Sequence, residues 1–204
     1  MRTALALTLL LLAGAAAAAP ALPALHDVAG VAAGDVLNVR AAPTTDAPVI
    51  ATLASDATGI EVVAVDPTGR WGQVNAGEGA GWAALRYLAA QPGQWEPGRL
   101  PQSLACFGTE PFWNVRIRDG TAAFEMPEVA RPLDRVTALD TGIPADPRRA
   151  LLLAGPTTRI TATIAPEACS DGMSDRAFAL ATMLVIEEDA AVPMLLTGCC
   201  SIAP

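Results

Sequence analysis

Short runs that alternate apolar and polar side chains, each closed by glycine or proline, constrain this chain more than any other feature. Asp35-Val36-Leu37-Asn38-Val39-Arg40 has the period-2 pattern of a half-buried strand, and Ala41-Ala42-Pro43 ends it. Val49-Ile50-Ala51-Thr52-Leu53 and Ile60-Glu61-Val62-Val63-Ala64-Val65 are β-branched runs of strand length. Asp66-Pro67-Thr68-Gly69 has proline second and glycine fourth, the chemistry of a β-turn, and Arg70-Trp71-Gly72-Gln73-Val74 follows as a strand. Asn75-Ala76-Gly77-Glu78-Gly79 is predicted to be a loop. Many short strands between Gly/Pro turns predict a compact all-β barrel.

Val36-Leu37-Asn38-Val39-Arg40-Ala41-Ala42-Pro43, then Trp71-Gly72-Gln73-Val74, Gly81-Trp82 and Tyr87-Leu88, resemble in order and spacing a bacterial SH3-like (SH3b) module over residues 24–90. The resemblance implies a small secreted barrel that binds cell-wall peptides or proteins. Trp71 is expected in the core, with Trp82 and Tyr87 as the surface aromatics that contact a ligand.

The first residues predict export. Arg2 begins a segment with an apolar stretch over residues 5–12 and small residues over 15–19, the pattern of a signal peptide spanning 1–21. The apolar stretch is too short for a stable membrane span. No cysteine follows it to carry a lipid anchor, so a periplasmic or secreted protein is expected. The net charge of −8 disfavours nucleic acid and anionic membranes as partners.

All four cysteines, Cys106, Cys169, Cys199 and Cys200, lie in the second half. An even number in an exported chain predicts disulfides. A bond between neighbouring Cys199 and Cys200 is strained, so the two connectivities that join each to Cys106 or Cys169 remain. No C-x-x-C spacing suggests a zinc or thioredoxin-like site. Met173, Met183 and Met194 beside Cys199-Cys200 would suit copper(I) only if the thiols were reduced, which an oxidising compartment opposes. No cofactor and no metal are expected.

Residues 91–102 carry three prolines and two glycines and are predicted to be a linker, in which Trp95 can pack against a neighbouring domain. Residues 103–204 then form a second domain. Trp113-Asn114-Val115-Arg116-Ile117-Arg118, a turn at Asp119-Gly120, Ala122-Ala123-Phe124-Glu125-Met126, residues 151–154, 159–164, and a last hairpin of 178–186 with 193–197 predict a small antiparallel β-barrel. Residues 127–149 are predicted to be loops around one strand.

Gly108-Thr109-Glu110-Pro111-Phe112-Trp113, Cys169-Ser170-Asp171-Gly172-Met173-Ser174-Asp175 and Gly198-Cys199 resemble a family of bacterial envelope proteins of uncharacterised function, over residues 103–202. The resemblance implies a separate unit in which Cys169 pairs with Cys199, leaving Cys106 for Cys200. Glu110 and Trp113 form a candidate ligand-contact pair, against the alternative that they start a strand. Asp171 and Asp175 are a candidate carboxylate or cation pair, against the alternative of a turn in which Asp and Ser cap backbone N–H groups.

The only histidine, His26, sits at the chain's beginning, so no Ser-His-Asp or Cys-His constellation is in view. The expectation is a non-enzymatic envelope protein that binds a wall peptide, a wall glycan or a periplasmic protein. Inhibition of a wall-degrading enzyme is the alternative role. Catalysis through Glu110 with Asp171 or Asp175 is a third reading, which requires those carboxylates to converge in one cleft.

Overall fold

The computed structural model describes residues 21–118, 120–189 and 191–203. Most of the predicted signal segment, and Asp119 of the predicted turn, lie outside them. Among the described residues the fold is all-β, with two sheets and a single 3₁₀ turn at Leu85–Tyr87. No helix of the described residues is long and apolar enough to cross a membrane.

The first sheet contains β1 (Ala24–Val28), β2 (Val36–Arg40), β3 (Val49–Ala54), β4 (Ile60–Val65), β5 (Trp71–Ala76), β6 (Gly79–Ala84) and β7 (Leu88–Ala90). Its order is β3-β2-β6-β5-β4-β1-β7. It curls into a small barrel over Val28, Leu37, Val39, Val62, Val74, Ala83 and Leu88. Leu37 and Val39 of β2, Val62 of β4 and Val74 of β5 point inward, while Val36, Val49, Ile50 and Val65 stay exposed. The loop predicted at 75–79 is tighter than expected. Ala76 pairs with Gly79, leaving Gly77 and Glu78 as a two-residue turn, with Gly77 at φ +64°. Asp66 organises the β4–β5 turn by accepting hydrogen bonds from the backbone of Thr68, Arg70 and Trp71 and from the Thr68 hydroxyl.

The second sheet contains β8 (Ser103–Thr109), β9 (Phe112–Arg118), β10 (Thr121–Met126), β11 (Val129–Leu133), β12 (Arg135–Asp140), β13 (Arg149–Ala154), β14 (Thr158–Cys169), β15 (Phe178–Glu188) and β16 (Met194–Ser201). Its order is β11-β10-β9-β8-β16-β15-β14-β13-β12. The edge strands β11 and β12 are neighbours in the chain and β10 lies against β12, so the sheet nearly closes on itself. The single strand expected within 127–149 is two. Each is short and half-exposed, and the prolines that suggested loops sit in the edge strand β11 or outside strands, where no ladder N–H is needed.

Cys106 bonds Cys200, and Cys169 bonds Cys199. Strand geometry accounts for the different partners of adjacent cysteines, because successive side chains point to opposite faces. Cys200 faces its cross-strand partner Cys106 within the apolar core. Cys199 takes the other face and holds the loop that begins at Cys169.

Residues 91–102 do more than connect. Trp95 is 2% exposed within the core of the nine-stranded barrel, and its indole N–H donates to the Pro23 carbonyl at 2.7 Å. Arg149, also buried, places its guanidinium 5.4 Å from the Trp95 ring and donates to the carbonyls of Glu96, Arg99, Asp146 and Arg148. The segment is a clasp. Further contacts join the barrels directly. The Asn75 amide exchanges two hydrogen bonds with the Ala177 backbone, each 2.9 Å. Buried Glu61 of β4 accepts from the Ser201 hydroxyl and the Ile202 N–H beyond β16.

Candidate functional site

Each barrel carries a groove, and the two differ in chemistry. In the seven-stranded barrel the 3₁₀ turn after β6 sets Arg86 and Tyr87 beside Trp71. They line a cavity of about 440 Å³ together with Asp35, Asn38 and Arg40. A second hollow of about 640 Å³, also lined by Trp71 and Arg86, adds Arg70, Pro43 and Thr44. Trp71 is 8% exposed, lies outside the central apolar cluster and lines both hollows. The Arg86 guanidinium lies 4.7 Å from the Tyr87 ring centre, and Arg40 is held by the Ala47 carbonyl at 2.7 Å. Asp35 is the only acid lining either hollow, and its carboxylate accepts the Val36 N–H. The result is a basic, aromatic cleft on an acidic protein.

Trp82 lines neither hollow. It pairs with Gln73 and Arg40 across the outer face of β6 and is half-buried. Of the two aromatics expected at the surface, only Tyr87 is in the cleft. Arg40, Arg70 and Arg86 were missed by sequence reasoning. Their one signal is that each sits at the end of a strand or beside a turn, where a charged head can reach the barrel's rim.

The groove of the nine-stranded barrel is larger, about 1160 Å³. Its floor is Thr163, Ala165, Ala181, Met183, Thr197 and Phe107, from β14, β15, β16 and β8. One wall is the β8–β9 turn with Glu110 and Phe112. The other is the loop 169–173, which carries Asp171 and Met173. The β8–β9 turn, β14 with the loop after it, β15 and β16 therefore meet at one place. Two ties fix the loop: the Cys169–Cys199 disulfide, and the Thr109 hydroxyl donating to the Asp171 carbonyl at 2.9 Å.

The sequence-predicted residues divide here. Glu110 is exposed on the groove's rim. Trp113 is 4% exposed and packs into the core, with its edge at a smaller hollow beside Phe112 and Asn114. Its indole covers Gly108 and Gly198. A Cβ at Gly108 would lie 2.3 Å from the Trp113 Nε1, and one at Gly198 would lie 2.0 Å from the Phe107 carbonyl oxygen. Both glycines are needed to admit the ring. Asp171 accepts from the N–H groups of Met173 and Ser174 and from the Ser174 hydroxyl. Desolvation pushes its pKa up, but these hydrogen bonds outweigh that and lower it. Its carboxylate is thus a turn cap. Asp175 lies away from the groove, bridged to Gly79, with its N–H donating to the Glu78 carbonyl. Asp171 lines the same groove as Glu110, whereas Asp175 does not. The described residues contain no cluster of three or more His, Cys, Asp or Glu suited to a metal. All four cysteines are disulfide-bonded.

Residues 35–89 match the family model of the bacterial SH3 domain. The match begins after β1, which pairs with both β4 and β7, and ends within β7. The nine-stranded barrel lies outside it. No curated protein and no solved structure matches the chain. The SH3 barrel therefore has a family, while the groove of its neighbour stands on its own geometry.

Proposed function

We propose that this is an exported bacterial envelope protein whose SH3 barrel binds the peptide part of the cell wall through the cleft of Trp71, Arg86 and Tyr87. The carrying observation is that cleft: arginines and aromatic faces gathered on one rim of a chain whose net charge is −8. Bacterial SH3 domains suggest wall-binding modules. Wall peptides present carboxylates, which guanidinium groups recognise by charge-assisted hydrogen bonds. Aromatic walls supply apolar contact at little cost in conformational freedom. Two disulfides agree with life outside the cytoplasm, and the N-terminal sequence supports export. The mechanism is recognition, with no bond made or broken. The nine-stranded barrel is then a rigid partner carried to the wall.

The test is co-sedimentation of the full mature chain with purified sacculi. Binding is expected to weaken with salt and to fall at least about tenfold in Arg86→Ala and in Tyr87→Ala. Binding of these variants equal to that of the parent would overturn the reading. Mass spectrometry of the protein from its host compartment tests export, which requires a mature N-terminus near residue 20.

A further inference from the structure

We infer that the groove of the nine-stranded barrel docks a second protein through an extended segment carrying arginine or lysine between apolar side chains. The inference is independent of the wall-binding cleft and goes beyond it.

The groove is built in advance. Its loop wall is tied by a disulfide and by the Thr109–Asp171 hydrogen bond, so little ordering remains to oppose binding. Its apolar side chains are left to water: Phe112 is 54% exposed, Met173 67% and Met183 49%. Apolar exposure continues beyond the groove. The register places Leu152, Thr161, Val185 and Leu195 in one row across β13–β16, and the three apolar members of that row are all exposed. Contiguous exposed apolar surface of this kind marks an interaction site. Methionine and aromatic side chains suit a partner whose apolar groups vary, because they repack.

Charge selects the partner's sign. Glu110, Glu167 and Asp171 line the groove and no arginine does. The two ion pairs of the described residues, Arg131–Glu188 and Arg148–Asp146, use none of these three.

The experiment is calorimetric titration of the full mature chain with synthetic peptides of about ten residues, the length of an extended recognition segment. One alternates Arg with Leu, one Glu with Leu, and one Arg with Ser. The Arg/Leu peptide is expected to bind, the Arg/Ser peptide to bind more weakly, and the Glu/Leu peptide to fail. Affinity for Arg/Leu is expected to fall about tenfold in the double variant Glu110→Gln, Glu167→Gln, and again in Phe112→Ala. It should be unchanged in Arg86→Ala on the other barrel. These side chains are exposed, so melting curves of the variants should overlay the parent's. Equal binding by the variants would reduce the effect to general attraction toward an acidic protein. Equal binding of Glu/Leu and Arg/Leu would point to an apolar surface for a lipid or a second copy. Either result, or no binding of Arg/Leu, overturns the inference.

Discussion

The two barrels solve the same folding problem with different means. The SH3 barrel has no cysteine, seven residues in its buried cluster, and turns set by side chains such as Asp66. The nine-stranded barrel has strands of up to twelve residues, a far larger cluster and two covalent bonds. Small cores bury too little surface to be secure alone. The SH3 barrel accordingly leans on its neighbour through Trp95, Asn75 and Glu61. Their grooves diverge as well, one basic with Trp71 and Tyr87, the other acidic with phenylalanine and methionine. A weak, adaptable module and a stapled body can therefore be told apart by perturbing one and watching both.

The largest effect is expected from removing the core disulfide. Cys106→Ala with Cys200→Ala opens a bond between residues 94 apart in sequence. It should cost the nine-stranded barrel about 4–5 kcal/mol by chain entropy. Denaturant melts with hydrogen exchange resolved by strand would show β8 and β16 losing protection well before β2 and β5. Equal loss in both barrels would erase the distinction between them.

Trp95→Ala comes next, at about 3 kcal/mol for a truncated core indole. It also leaves the Pro23 carbonyl without its donor. Because Trp95 belongs to one core and bonds to the strand-entry segment of the other, both barrels should become more sensitive to protease at 91–102. Cleavage unchanged from the parent would show that the segment holds nothing together.

Glu61 and His26 sharpen the comparison through pH. Burial raises the Glu61 pKa from its ordinary 4.5, and the hydrogen bonds from Ser201 and Ile202 only partly oppose this. Docking thus favours the protonated carboxyl. Its contribution is full below pH 4.5 and is lost as pH rises through the raised value. Burial lowers the His26 pKa from 6.5, so its contribution is full above that value and is lost as pH falls through the lowered one. The two arms have opposite slopes. Glu61→Gln should flatten the alkaline arm and leave the acid arm, read as urea midpoints between about pH 4 and about pH 8. Glu61→Ala should cost about 1–3 kcal/mol, because two buried donors lose their acceptor.

The smallest effect on stability is expected from Arg86→Ala, within about 0.5 kcal/mol as for most surface substitutions. A melting curve that overlays the parent's, together with lost sacculus binding, would assign Arg86 to recognition alone.

Much of the strand pattern was legible because alternation and turn chemistry are local. The runs at 35–40 and 113–118 carry their own alternation, which the burial of β2 and β9 follows. The strands β11 and β12 were not legible, since short, half-exposed edges show little contrast between their faces. Of the site, Tyr87, Glu110 and Asp171 could be named from sequence. Their company could not. Trp71 is buried, as its type suggested, and also lines two hollows. Trp113, open in the sequence between a ligand contact and a strand residue packing inward, is buried because two glycines make room for its ring.

The amino-acid sequence by itself determined an all-β chain, the SH3 segment and the cysteines that pair. Alternation, turn residues and an even thiol count act over a few residues and need no knowledge of distant neighbours. Only the tertiary structure decided that a glycine-proline segment is a clasp, and that Thr109, Asp171 and Met183 share one groove. It also decided that Arg40, Arg70 and Arg86 line hollows that share Trp71. Those outcomes depend on register and on how each sheet curls, which side chains far apart in the chain settle together.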